Sequence, residues 1–349
     1  MLPRTLFLSG YLTAISGEDG SFLRGPGIFG RRGRLRGDAA ETLAELGVEG
    51  EVVACLPASA TSCQVLRVTA QIGRRVSHTD LSDALENAMS RAGTEGSAVI
   101  CAEPGRVLID GAEVMGSAVG KAAQNFDVDV TAFISDLAIL ASIEKACAAA
   151  GMRLVGVMAC EEAFAAALAS PAEDGQRVIL CDRWYTKLLR LDGTHVAAST
   201  TVPIGPGHLA DDLGLTFSLK PAKAEECARR LLLGRSHLDE EPMIPVVRAR
   251  LDEWVSSVAD AAVQAGISID GARLVGIAAT PVVTDAFKSV GAHVFGAEKL
   301  IARTDPAIFA LADGARSRAS GAVSRNAAAA LRLSSPPGSG FLDWLRRNF

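Results

Sequence analysis

The side chains with the most chemical potential fall in one stretch, VILCDRWYTKLLRLDGTHVAASTTVPIGPGHLADDLG, from Val178 to Gly214. Asp182 closes an apolar run that begins at Val178, and the turn Arg183-Trp184-Tyr185 separates it from Thr186. Gly205 and Gly207, with Pro203 and Pro206 around them, break the β pattern before a helix that opens near Leu209, and Glu225 stands on the next predicted helix. No Ser/His/Asp, Cys/His or paired-carboxylate set has a usable spacing anywhere in the chain. Asp211 and Asp212 sit where a helix begins and suit its dipole without any catalytic role. Asp239, Glu240 and Glu241 read as a solvated polar loop. The five histidines show no metal spacing, and none of the seven cysteines forms a CxxC pair. Most of these cysteines lie in apolar runs and read as small buried hydrophobes in a reducing compartment.

The elements that would hold this stretch can be read from its surroundings. Val178–Asp182, Thr186–Leu191 and His195–Val202 are three β-type runs, and Asp192-Gly193 between the last two is a strong hairpin signal. At 349 residues and 49% hydrophobic content the chain has room for two domains with real cores. A net charge of −5 argues against nonspecific nucleic-acid binding, although Arg24, Arg31, Arg32, Arg34 and Arg36 cluster near the start. No apolar run of membrane-spanning length occurs, and the first sixteen residues read as a strand pair rather than a signal peptide. The expected location is cytoplasmic.

In chain order, Thr5–Ser9 and Leu12–Ser16 pair as a hairpin, residues 17–37 are Gly- and Arg-rich loop around at most a short strand, and a short helix runs to Leu46. Glu51–Leu56 is a buried strand. A different unit follows: the strand Cys63–Gln71, the helix Asp80–Ala92 capped by Thr79, the strands Ser97–Ala102 and Val107–Ile109, and the strand Phe126–Ile134. Ser135 and Asp136 cap the helix Leu137–Ala150, after which the strand Leu154–Met158 and the helix Ala159–Ala169 resume the first pattern. Beyond the central stretch come the helices Ala222–Leu233 and Val246–Ala265, the strand Arg273–Ala278, the helix Thr284–Val290, the strand His293–Phe295 and the helix Pro306–Ser317. Residues 321–340 end in Ser-Ser-Pro-Pro-Gly-Ser-Gly, a linker by composition. The final nonapeptide FLDWLRRNF places Phe341, Leu342, Trp344, Leu345 and Phe349 within an arc of about 160° of a helical wheel. Arg346 and Arg347 lie opposite. So short a helix is unstable alone in water, but on a bilayer it can bury that face while its arginines meet anionic headgroups.

Taken together, the chain resembles the FtsA family, actin-like proteins that tether the bacterial division ring to the inner membrane. The resemblance rests on ACLPASATSCQ and VSHTDLSDALENA, on VTAFISDLAILASIEKACAAAGMRL, on TTVPIGPGHLADDLG followed by KAEECARRLLLG, and on the tail behind its linker. It implies an α/β, actin-like (duplicated ribonuclease-H-like) fold with a small inserted α+β subdomain of SHS2 type and a C-terminal amphipathic helix. The implied division is 1–60 with 131–175 as the first actin-like subdomain, 61–130 as the insertion, 176–320 as the second half, 321–340 as linker and 341–349 as membrane-targeting helix. It also implies a partner, an FtsZ-like division protein or its C-terminal peptide, self-association, and attachment to the inner face of the cytoplasmic membrane.

In that family, backbone N–H groups of Gly-rich turns wrap a nucleotide's phosphates. Carried over, Asp182, Thr186, Gly205, Gly207 and Glu225 mark the vestige of this site. The departures are many. The first phosphate loop offers only Ser9-Gly10, the second has Arg183, Trp184 and Tyr185 where glycines belong, and the adenine-side Gly-Gly falls on Ala278-Ala279. The lysine partner of the family's glutamate falls on Ala228. The expectation is a scaffold with no catalytic residues, no bound metal and no required cofactor. An ATP/Mg-binding protein with an unusual phosphate site is the alternative, and a pilus-assembly actin-like scaffold is another.

Overall fold

A computed structural model describes residues 4–16, 22–168, 174–193, 195–275 and 280–290. The expected strand 293–295, helix 306–317, linker 321–340 and amphipathic helix 341–349 lie outside them, as do Ala278 and Ala279.

Two sheets repeat one pattern, an antiparallel three-stranded meander extended by parallel strands, two in the first sheet and one in the second. In the first, β1 (Arg4–Leu8), β2 (Leu12–Ser16) and β3 (Phe22–Pro26) form a meander, and β4 (Gly50–Leu56) and β9 (Met152–Ala159) add in parallel to give the order β3-β2-β1-β4-β9. In the second, β10 (Asp174–Cys181), β11 (Thr186–Asp192) and β12 (His195–Val202) form the meander and β13 (Arg273–Val275) pairs parallel to β10. The turn between β11 and β12 is the predicted Asp192-Gly193, with Gly193 at φ +58°, a conformation glycine adopts without steric cost. Helices α1 (Ala39–Ala44) and α3 (Leu137–Ala149) cover the first sheet. Helices α5 (Gly207–Phe217), α6 (Pro221–Leu232), α7 (Ile244–Gln264) and α8 (Pro281–Lys288) cover the second, around the fully buried Trp254.

Between β4 and β9 the chain leaves the first sheet to build another. β5 (Ser62–Arg75), β6 (Ser97–Ile109), β7 (Ala112–Glu113) and β8 (Ala122–Asp136) pair antiparallel in the order β5-β8-β6-β7, and α2 (His78–Arg91) packs on one face over Phe126, Val128 and Val130. The two short strands expected over 97–109 are one strand, bent by irregularities at Val99/Cys101 and Pro104/Val107. The cap of α2 is Ser77 rather than Thr79. Ser77 Oγ accepts the Asp80 N–H while the Asp80 carboxylate accepts the Ser77 N–H, a reciprocal capping box that satisfies two orphan donors. Asp136 caps α3 as expected, accepting the Ala138 N–H at 2.7 Å.

Helix α4 (Cys160–Leu168) lies between the two principal sheets, and its buried residues share one apolar cluster with β1, β4, β10, β11 and β12. Within this core sits an ion pair with both side chains at 0% exposure, Lys187 of β11 and Glu161 of α4. Lys187 Nζ also donates to the Thr61 carbonyl at 2.8 Å, and Thr61 Oγ1 donates to the second carboxylate oxygen of Glu161 at 2.8 Å. Burial alone would drive both groups neutral, yet their mutual attraction outweighs it, holding the lysine above and the glutamate below their ordinary values.

The acidic loop 239–241 also differs from its expected form. Leu238–Met243 is a 3₁₀ turn, and Glu240 is not solvated but 1% exposed. It is paired with Arg230 of α6 and accepts the His237 N–H at 3.1 Å. The Arg230 guanidinium, with the His237 N–H, pulls the carboxyl down to about 2 despite its burial.

Two predictions follow from these pairs. Lys187→Met or Glu161→Gln alone should cost about 3–5 kcal/mol in urea unfolding, and Lys187→Met/Glu161→Leu together less than either, because only a single change strands a buried charge. Additive losses would show the two groups to be uncoupled. Glu240, whose folded pKa is depressed, stabilises fully above its unfolded value near 4.5, and the contribution fades as pH falls toward about 2. Glu240→Gln should therefore lower Tm at neutral pH and flatten its acid limb.

Candidate functional site

The five residues singled out around the central stretch do come together, but around side chains rather than around a space. The turn after β10 is closed by Asp182 N–H donating to the Tyr185 carbonyl at 2.9 Å. Asp182 Oδ1 accepts the Arg183 N–H at 2.7 Å and reaches across to the first sheet to accept the Gly10 N–H at 3.3 Å. Burial pushes this carboxyl above the ordinary range against the pull of those two donors. Thr186 is fully buried. Its Oγ1 donates to the Ile204 carbonyl at 2.8 Å and accepts the Trp254 indole N–H at 2.7 Å.

The loop between β12 and α5 closes over the same turn. Gly207 N–H donates to the Arg183 carbonyl at 2.7 Å, and Gly205 N–H points to His208 Nδ1 at 3.3 Å. A Cβ at Gly207 would fall 2.6 Å from a Trp184 ring carbon, so the indole lies flush on this backbone. Trp184 also makes a T-shaped contact with His208, with ring centroids 5.4 Å apart. A Cβ at Gly10 would stand 2.9 Å from Arg183 Cβ, which brings the β1–β2 turn directly onto the β10–β11 turn. The Arg183 guanidinium packs 5.1 Å from the Trp184 ring and 5.7 Å from that of Tyr11, and pairs with Glu225 of α6 at 2.6 Å.

Phosphate binding in such turns needs backbone N–H groups aimed into an open volume. Here the N–H groups of Gly10, Asp182, Arg183, Gly205 and Gly207 all have acceptors within the protein. The intervening volume holds Arg183 and Trp184. A nucleotide and its divalent ion do not fit these residues as they stand. Glu225 is paired with Arg183, whose guanidinium offsets its charge. Sequence reasoning found Arg183 and Trp184 only as intruders and missed Tyr11 and His208, since nothing local marks them as neighbours of the turn.

Elsewhere, Cys101, Glu103 and Glu162 form the one group of metal-ligand type among the described residues, with ligand atoms within 4.8 Å of one another. Glu162 also accepts the Ala159 N–H at 2.8 Å. The cysteines are free thiols, five buried and two half-buried, and burial pushes Cys63 up to about 11 and Cys147 up to about 12. Such thiols are poor nucleophiles. Among the described residues no helix is long and apolar enough to cross a membrane. The membrane-binding residues expected in the tail, Phe341, Leu342, Trp344, Leu345, Arg346, Arg347 and Phe349, lie outside the described residues.

No protein-family model matches this sequence, and no curated protein matches it. Similarity appears at the level of structure. A chain of a PilM–PilN type IV pilus biogenesis complex superposes with a TM-score of 0.62 at 16% identity, covering 91% of this chain and 98% of that one. MreB5 of Spiroplasma citri bound to AMPPNP superposes with a TM-score of 0.50 at 9% identity, covering 90% and 95%, and its ADP-bound form does so at 8%. At these identities the likeness concerns architecture alone. The duplicated meander-plus-parallel sheets and the near-complete coverage together establish an actin-like α/β fold.

Proposed function

We propose that this protein is an actin-like scaffold that holds a partner within a membrane-associated assembly of the pilus-biogenesis kind, without binding or hydrolysing nucleotide. The observation that carries the reading is the filled turn: Arg183 and Trp184 occupy the space between the loops of the two halves, and the N–H groups of Gly10, Asp182, Arg183, Gly205 and Gly207 are spent on protein acceptors. A body so closed has surfaces rather than chemistry to offer. The PilM–PilN neighbour supports an actin-like body working through a bound protein partner in type IV pilus biogenesis. The partner proposed here is likewise a protein segment.

A second reading has its own observation. The apolar arc of Phe341, Leu342, Trp344, Leu345 and Phe349 backed by Arg346 and Arg347, behind a Pro/Gly/Ser linker, is a membrane-surface pattern. It favours a division tether of the FtsA kind that links an FtsZ-like protein to the inner face of the cytoplasmic membrane. Both readings share the membrane and the absence of turnover, and differ in the assembly served.

Two measurements test these readings. Millimolar ATP with Mg²⁺ should leave Tm unmoved. A ligand present at a hundred times its Kd would add about 2.7 kcal/mol of stability, so a clear upward shift would sink the nucleotide-free reading. In the native host, a fluorescent fusion of the full chain should give membrane-associated foci that become diffuse when the chain ends at Gly340. A midcell band would transfer the protein to the division ring, and foci indifferent to truncation would remove the tail from the mechanism.

A further inference from the structure

Five arginines lie between Arg24 and Arg36 with no acidic residue among them, in a chain whose net charge is −5. The structure gives the last four of them a fixed platform. After β3 the backbone turns inward, burying Ile28 and Phe29 to 0% and 1% exposure, then returns through a bridge between Phe29 and Leu35. The tip is tied by Gly30 N–H to the Arg34 carbonyl at 2.8 Å, by Gly33 N–H to the Gly30 carbonyl at 3.1 Å, and by Arg36 N–H to the Ile28 carbonyl at 2.8 Å. Gly33 adopts φ +67°, and a Cβ there would meet the Ser59 carbonyl oxygen at 2.7 Å, so the tip is seated on the body and admits no larger residue. From the second half, the Tyr185 hydroxyl donates to the Arg31 carbonyl at 3.1 Å.

The side chains on this platform divide into two kinds. Arg36 pairs with Asp38 and donates to the Gly27 carbonyl, and Arg31 pairs with Asp211 at 3.0 Å. Arg32 and Arg34 are exposed and make no ion pair among the described residues. A pre-formed loop loses little conformational freedom on binding. Guanidinium groups match phosphate with paired N–H donors where an ammonium offers only a point charge.

We infer that the 30–34 loop tip is a phosphate-binding contact for anionic lipid headgroups, made through Arg32 and Arg34. The choice of lipid rests on the membrane reading of residues 341–349, because one nine-residue amphipathic segment is a weak anchor and a second contact with the same membrane converts two weak affinities into one firm attachment. Both contacts join basic groups to the same headgroup chemistry. The loop's contribution is electrostatic and is screened by salt.

The test is vesicle co-sedimentation with phosphatidylglycerol-containing and pure phosphatidylcholine vesicles, using the full chain, the chain ending at Gly340, and Arg32→Glu/Arg34→Glu in each. At low salt the shortened chain should bind anionic vesicles weakly and lose that binding on charge reversal. The full chain should lose about thirtyfold in apparent affinity on the same change. Both substituted residues are exposed, and an unchanged Tm confirms an intact fold. No anionic-vesicle binding by the shortened chain, or no effect of charge reversal in the full chain, would overturn the inference. Retention of polyglutamate but not of vesicles would reassign the loop to an acidic protein surface and overturn the lipid assignment. Loss of the loop effect and loss of the tail effect are read separately, the first from charge reversal and the second from truncation.

Discussion

The Lys187 ammonium lies where strand β11 of the second sheet, helix α4 between the sheets and the turn leading into β5 meet, and it is fully buried. Its acceptors come from two different parts of the chain: the Glu161 carboxylate and the Thr61 carbonyl. A charge in that position is tolerable only while all its partners hold their places, because each unmade bond leaves an uncompensated group in a low dielectric. The two halves and the inserted unit are therefore fixed relative to one another by an interaction that has one satisfactory geometry. Apolar contacts alone, being non-directional, would accept several.

The halves also meet at the cleft between the β1–β2 and β10–β11 turns. In an open cleft the halves would be bridged by whatever binds there. Here they are bridged by the chain itself, through Asp182 and the Gly10 N–H, Arg183 and Tyr11, and Tyr185 and Arg31. Arg183 is the pivotal residue, since one guanidinium packs on two aromatic rings and neutralises Glu225. On the proposed reading, a body closed by its own side chains works through its surfaces, which is the common ground of the pilus and division readings.

Much of this was legible beforehand. The Asp192-Gly193 hairpin, the β–helix alternation and the small unit interrupting it follow from short-range signals that survive folding, because turn chemistry and periodicity are properties of neighbouring residues. The failures have equally local causes. Thr79 looked like a helix cap, but Ser77 has the spacing to exchange bonds with Asp80. Glu240 looked like one of three solvated acids, and only the approach of α6 brings Arg230 onto it. Asp182, Thr186, Gly205, Gly207 and Glu225, expected as one site, lie around one turn, yet each is satisfied by a protein partner.

By itself the sequence carried the class of fold, an interruption expected at about residues 61–130, and the bulky turn Arg183-Trp184-Tyr185 after an apolar run. It also carries the amphipathic pattern of the last nine residues, which depends on composition and period alone. Only the tertiary structure decided what the bulky turn does. Whether Trp184 swings outward or lies on Gly207, and whether Arg183 meets solvent or Tyr11 and Glu225, depends on groups more than twenty residues away in the chain. The buried pairing of Lys187 with Glu161 is of the same kind. A charge in an apolar strand reads as an anomaly until the fold delivers its counter-ion, because the free energy that permits its burial comes entirely from partners that the strand does not contain.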